Sequence, residues 1–155
     1  MEFIEKILPT LLVVAAGFIT WFLKDKSEKL KFQREKLIEE KRLNYEKILE
    51  PIIRVLAGVK NKVEMDKALK QIQSFDYKKS AFQLMLFGSD NVVNAYNDYF
   101  QYLYKNESNL DPYKMLNALG KVILEIRKDL GNDKTVLKEY DMLRFMITDI
   151  EKMKE

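Results

Sequence analysis

Histidine and cysteine are absent from this chain, and proline and glycine are scarce, at three and five residues out of 155. Each absence closes a class of function. Without an imidazole or a thiol there is no Ser-His or Cys-His nucleophile pair, no zinc site of the usual nitrogen and sulfur type, no disulfide and no imidazole proton shuttle. Di-metal helical bundles built on Glu-x-x-His pairs, and small helical RNases that use an Arg followed by a His, are excluded with them. The five glycines, at 17, 58, 88, 120 and 131, are too dispersed to form a phosphate-cradling loop. No clustered set of acids predicts a magnesium site, so no metal and no cofactor are expected, and the chain reads as a non-enzyme.

What is present is apolar surface and charge, distributed unevenly. With 47% apolar and 12% aromatic residues the chain has ample material for a core. From Ile7 to Leu23 it runs without a charge, and taken from Phe3 the stretch 3–23 spans roughly 30 Å as a helix, the thickness of a bilayer's hydrocarbon layer. A cleaved signal peptide would need a basic start and a small-residue cleavage site, whereas this chain begins MEFIEK and leaves the run as WFLKDK. A buried core helix is the other reading, but a helix apolar all round suits lipid better than a domain of this size. Residues 3–23 therefore read as a transmembrane anchor with the lipid bilayer as partner.

Charge orients it. Residues 24–36 hold six bases against three acids, while the N-terminal flank offers only Lys6. Positive charge stays inside, which predicts a single pass through a bacterial inner membrane with the N-terminus outside and the rest cytoplasmic. The net charge of +3 is thus mostly juxtamembrane. Since no basic stripe is left for the remainder, nucleic acid is not an expected partner.

Beyond the anchor the periodicity is helical. Residues 24–44 read as a charged stalk, too short in apolar repeats for a coiled coil, and 45–155 as a bundle of about five helices, so the fold class is all-α. Tyr45, Ile48, Leu49, Ile52, Val55, Leu56 and Val59 form the first stripe, with a kink expected at Pro51. A short helix over 61–73 follows, carried on Val63, Met65, Leu69 and Ile72. The run Phe82, Leu84, Met85, Leu86, Phe87 suits a strand or a buried helix, and with no partner strand in view a helix closed by Gly88 is expected. Ser89 or Asp90 caps the next helix, Asp111-Pro112 starts another that ends at Gly131, and a last helix is expected over about 136–153.

Three segments carry residues fit for recognition. FGSDNVVNAYNDYF (87–100) joins Ser89 and Asp90, at a turn whose backbone N–H groups could hold an anion, to Tyr96 on the helix. ILEIRKDLGNDKT (123–135) ends a helix with Arg127, Lys128 and Asp129; Arg127 has the reach for an acidic partner or for Asp90. EEKRLNYEKILEP (39–51) sets Arg42 and Tyr45 on neighbouring turns. For the first two segments helix capping and dipole or salt-bridge pairing are the favoured reading, and for the third amphipathic packing accounts for the residues equally well.

The order of these motifs behind a single anchor and charged stalk resembles a group of small bacterial single-pass membrane-anchored helical-bundle proteins of uncharacterised function. The resemblance implies location and architecture, and no activity. The function expected is that of a membrane-anchored helical module whose bundle binds a protein partner or small ligand. The alternative is a membrane-acting effector, for example in phage defence, in which the bundle senses a signal and clustered anchors permeabilise the bilayer. Gly17 and the Ala16/Thr20 spacing would allow the helix contacts of a homo-oligomer.

Overall fold

The computed structural model describes residues 2–58, 61–106 and 109–146, with the backbone alone for residues 2–16 and 19. Among these the chain forms five α-helices and no strand: α1 (Glu2–Ala57), α2 (Lys62–Gln73), α3 (Phe75–Phe87), α4 (Asp90–Lys105) and α5 (Pro112–Asp129), followed by a 3-10 turn over Glu139–Met142. Two compact units result, Met1–Glu39 and Glu40–Glu155.

The first unit is helix. Nearly all its described side chains are exposed, including the large apolar Phe18, Trp21, Phe22 and Leu23, with Asp25 and Ile38 half-buried. Its charges pair along the helix, Lys29 with Asp25 at 2.8 Å and Lys31 with Glu35 at 3.8 Å, and the Lys26 ammonium lies 4.7 Å from the centre of the Phe22 ring. Such i,i+4 pairs stabilise an exposed helix by only a few tenths of a kcal/mol each, about 0.3. Most of the apolar run 3–23 lies outside the residues with described side chains, and among the described residues no helix is long and apolar enough to cross a membrane.

The second unit is the bundle. Its core joins Tyr45, Ile48 and Ile52 of α1, Leu84 of α3, Val92 and Tyr96 of α4, Leu119 and Val122 of α5, and Leu143 beyond the 3-10 turn. The stripe expected on α1 packs inward, as do the equally spaced Val92, Val93, Tyr96, Tyr99, Phe100 and Leu103 of α4 and Met115, Leu116, Leu119, Val122, Ile123 and Ile126 of α5, because positions three and four apart share one side of a helix. Helix α1 continues through Pro51, which is itself buried. Val59 of the first stripe lies outside the described residues.

Local chemistry marks the boundaries. Asn61 caps α2 by accepting from the Glu64 N–H, and Ser74 caps α3 by accepting from the Tyr77 N–H at 3.2 Å. Asp111 accepts from the N–H groups of Tyr113 and Lys114 while Pro112 takes the first helical position. At the end of α5, Gly131 adopts φ 106°, its N–H donates to the Lys128 carbonyl, and the Asn132 N–H donates to that of Arg127, the two bonds of a Schellman cap.

One expectation is sharpened and three change. Gly88 does cap α3, but with an extended backbone (φ −70°), so handedness is not its role. A Cβ there would lie 2.7 Å from the Leu84 carbonyl oxygen and 3.4 Å from the Tyr45 hydroxyl, so the missing side chain makes room. Val63 and Leu69 of α2 face outward while Ala68 is buried between them. Phe82, Leu86 and Phe87 of the run in α3 are exposed, Leu84 is fully buried in the core and Met85 packs half-buried against it. In place of a helix from 136, the described chain keeps only the 3-10 turn, pressed so closely on α5 that a Cβ on Gly120 would collide with the Glu139 carbonyl. Residues 147–153 of that expected helix lie outside the described residues.

Candidate functional site

The segments 39–51 and 123–135, separated by most of the bundle in sequence, meet at the end of α5. Lys41 and Tyr45 stand one helical turn apart on α1, so both side chains leave the same side of the helix. They converge on Asp129. The Lys41 ammonium donates to its two carboxylate oxygens at 2.9 and 3.2 Å, and the Tyr45 hydroxyl donates at 2.6 Å. The pair is largely out of water, with side chains 16% and 9% exposed for Lys41 and Asp129.

Electrostatics explains the need for this tie. Asp129 occupies the last turn of α5, where unpaired carbonyls already concentrate partial negative charge and a carboxylate is unfavourable. Lys41 supplies the compensating cation to both. Burial, and then the bond to Asp129, pushes the Tyr45 phenol above its ordinary range, so it stays a neutral donor. Gly88 closes the arrangement on the third side, beside the Tyr45 hydroxyl. A second buried phenol pair lies between α3 and α4, where Tyr96 donates to the Tyr77 hydroxyl at 3.2 Å. Burial raises both, Tyr77 further through Tyr96, and it raises Tyr99 to about 12.

The residues singled out for recognition therefore divide. Tyr45 and Tyr96 belong to the interior, Tyr45 at 2% exposure, and neither can meet a partner. Asp129 is consumed by Lys41 and Tyr45, Lys128 by Glu125 at 2.6 Å, and Arg42 pairs with Glu46. Ser89 holds the N-cap position of α4 without a side-chain capping bond, and Asp90 is exposed as the first residue of that helix. Arg127 is exposed and has no ion pair to Asp90 or to any other described residue. With Gly131, Asn132, Asp133, Lys134 and Thr135 it lines an open recess of about 360 Å³.

Lys41 is the member that the sequence did not single out, and Gly88 stood there only as a helix cap. One signal was legible, since an acid in a helix's last turn calls for a cation, but which of 27 bases supplies it is a matter of tertiary contact. Asn44, also overlooked, donates to the Ser80 carbonyl at 3.1 Å and ties α1 to α3. Among the described residues no three acidic side chains gather where they could hold a metal ion. The arrangement can fix helix ends and present Arg127 and its turn to solvent; its phenols are locked in the neutral form and its ammonium in an ion pair. No family model, curated protein or solved structure matches the chain.

Proposed function

We propose that the protein is a non-enzymatic, single-pass bacterial inner-membrane protein, anchored by residues 3–23 with its N-terminus outside, whose cytoplasmic bundle recruits an acidic protein partner through Arg127 and the turn 131–135. The observation that carries the recognition half is the contrast within one helical turn: Lys128 and Asp129 are paired, while Arg127 is exposed beside an open recess with no partner among the described residues. A guanidinium in that position offers a planar fork of donors to a carboxylate, and the tie beneath it holds the helix end still. Support for the anchor is the uncharged run itself and the outward-facing Phe18, Trp21, Phe22 and Leu23, which lipid would cover.

Cross-linking followed by pull-down from native membranes tests the reading. The expected result is a specific partner recovered by the native chain, lost with Arg127→Ala and retained with Lys121→Ala, while all three melt alike. Equal recovery with Arg127→Ala would remove this surface from the function. Extraction of the chain from membranes by alkaline carbonate would remove the anchor.

A further inference from the structure

Helix α3 exposes large apolar side chains more fully than any other described helix of the bundle, beyond the outward Val63 and Leu69 of α2. Its inner side is formed by Tyr77, Ser80 and Leu84. On the opposite side Phe75, Phe82 and Leu86 recur at seven and four residues, which aligns them along one stripe of the helix, and they are 78%, 72% and 74% exposed. Lys78 and Lys79, both exposed, fall on the two flanks of that stripe. Exposed positions of α4 are instead mostly polar, among them Asn91, Asn94, Asp98 and Gln101, with Tyr104 near its C-terminus the one large aromatic, and those of α5 include Lys114, Asn117 and Lys121.

We propose that the outer face of α3 docks on an anionic lipid surface, with Phe75, Phe82 and Leu86 entering the interface and Lys78 and Lys79 meeting the lipid phosphates. Two observations select lipid over protein. The first is charge. Residues 62–87 carry five lysines against three acids, whereas α4 carries two acids and one lysine, so the apolar stripe lies in the region that complements an anionic leaflet. The second is area. Three such side chains expose on the order of 400 Å², about half of what one partner gives to a standard protein interface. An interfacial helix has no such minimum, because each inserted side chain adds its own transfer from water and flanking lysines add attraction to phosphate. The proposal rests on the anchor reading in that the anchor would bring α3 to the membrane.

The absence of cysteine makes the test clean. Full-length chains carrying a single substitution, Leu12→Cys in the anchor, Phe82→Cys on α3 or Asn94→Cys on α4, are labelled with an environment-sensitive fluorophore and reconstituted into vesicles of phosphatidylcholine with or without phosphatidylserine. The expected result is a blue shift and a several-fold rise in quenching by lipid-borne quenchers for the label at 82, in phosphatidylserine vesicles only, with the label at 94 remaining in water. Lys78→Glu with Lys79→Glu should abolish that response and leave the label at 12 in lipid. A label at 82 that stays in water while the label at 12 is in lipid overturns docking by α3 and leaves the anchor standing. A label at 12 in water with 82 in lipid removes the anchor and leaves docking by α3 standing. A blue shift at 82 without vesicles would assign the face to a protein segment, of this chain or a second copy, and overturns the proposal.

Discussion

Helices α3 and α4 are neighbours of similar length, 13 and 16 residues, separated only by Gly88 and Ser89, yet they meet water with opposite chemistry. Helix α4 places Val92, Ala95, Tyr96 and Tyr99 inside and mostly amides and acids outside, Tyr104 near its end excepted. Helix α3 is apolar on both sides, with Leu84 inside and Leu86 outside. The contrast shows why the run over 82–87 resisted assignment. A helix with one apolar face declares its period, whereas a helix with two presents an unbroken run that a strand shares. It also separates the forces that act on the two faces, since the inner one is held by packing and the outer one is free to engage something else.

The sharpest way to probe this difference is a pair of substitutions two residues apart. Leu84→Ala should destabilise the chain by about 3 kcal/mol, through lost transfer energy and the cavity left behind, and Leu86→Ala by less than about 0.5. Urea denaturation measures both, and similar values would show that the two faces of α3 are not distinct. Next in size is the tie beneath Arg127. Asp129→Ala leaves the Lys41 ammonium and the Tyr45 hydroxyl without their acceptor in a site largely closed to water, at a cost of about 2 to 3 kcal/mol; a loss below about 0.5 kcal/mol would mean that water replaces the carboxylate.

Alkaline pH tests the inner seam of α3 and α4. Tyr45, Tyr77, Tyr96 and Tyr99 are all raised above the ordinary phenol, Tyr99 to about 12. The folded state therefore keeps protons that the unfolded chain begins to lose near pH about 10. Their contribution is fully present below that pH and declines as pH rises through 10 to 12 and beyond. The urea midpoint should consequently hold steady between about pH 6 and 9, where a chain without His or Cys has almost nothing to titrate, and fall steeply above pH about 10. A midpoint unchanged at pH 11 would place these hydroxyls in water. The smallest effect belongs to the surface: Arg127→Ala and Phe82→Ser should each shift stability by no more than about 0.5 kcal/mol, so any loss of partner or lipid binding they cause is not a loss of fold.

Much of the fold was legible because much of it is local. Asp111-Pro112 and Gly131 identify the two ends of α5 through bonds that reach no more than five residues. The spacing of Ile48 and Ile52, and of Leu119, Val122 and Ile126, is that of one helix side, and all five are in the core. Reading failed where spacing is silent. Val136 and Leu137 fit a helical stripe, yet both are exposed, and the segment that follows is set by the glycine gap at Gly120, which only Glu139 reveals. The site was half legible. Arg127, Lys128 and Asp129 were singled out together, but nothing in their sequence says that the first is open and the other two are paired.

Helix type, helix ends and the exclusion of thiol and imidazole chemistry were therefore determined by sequence, since each depends on residues within a few positions or on composition. Tertiary structure decided which apolar face of α3 is covered and which base answers Asp129. Both depend on contacts between residues far apart in the chain, 88 positions for Lys41 and Asp129, and such contacts exist only once the helices between them have packed.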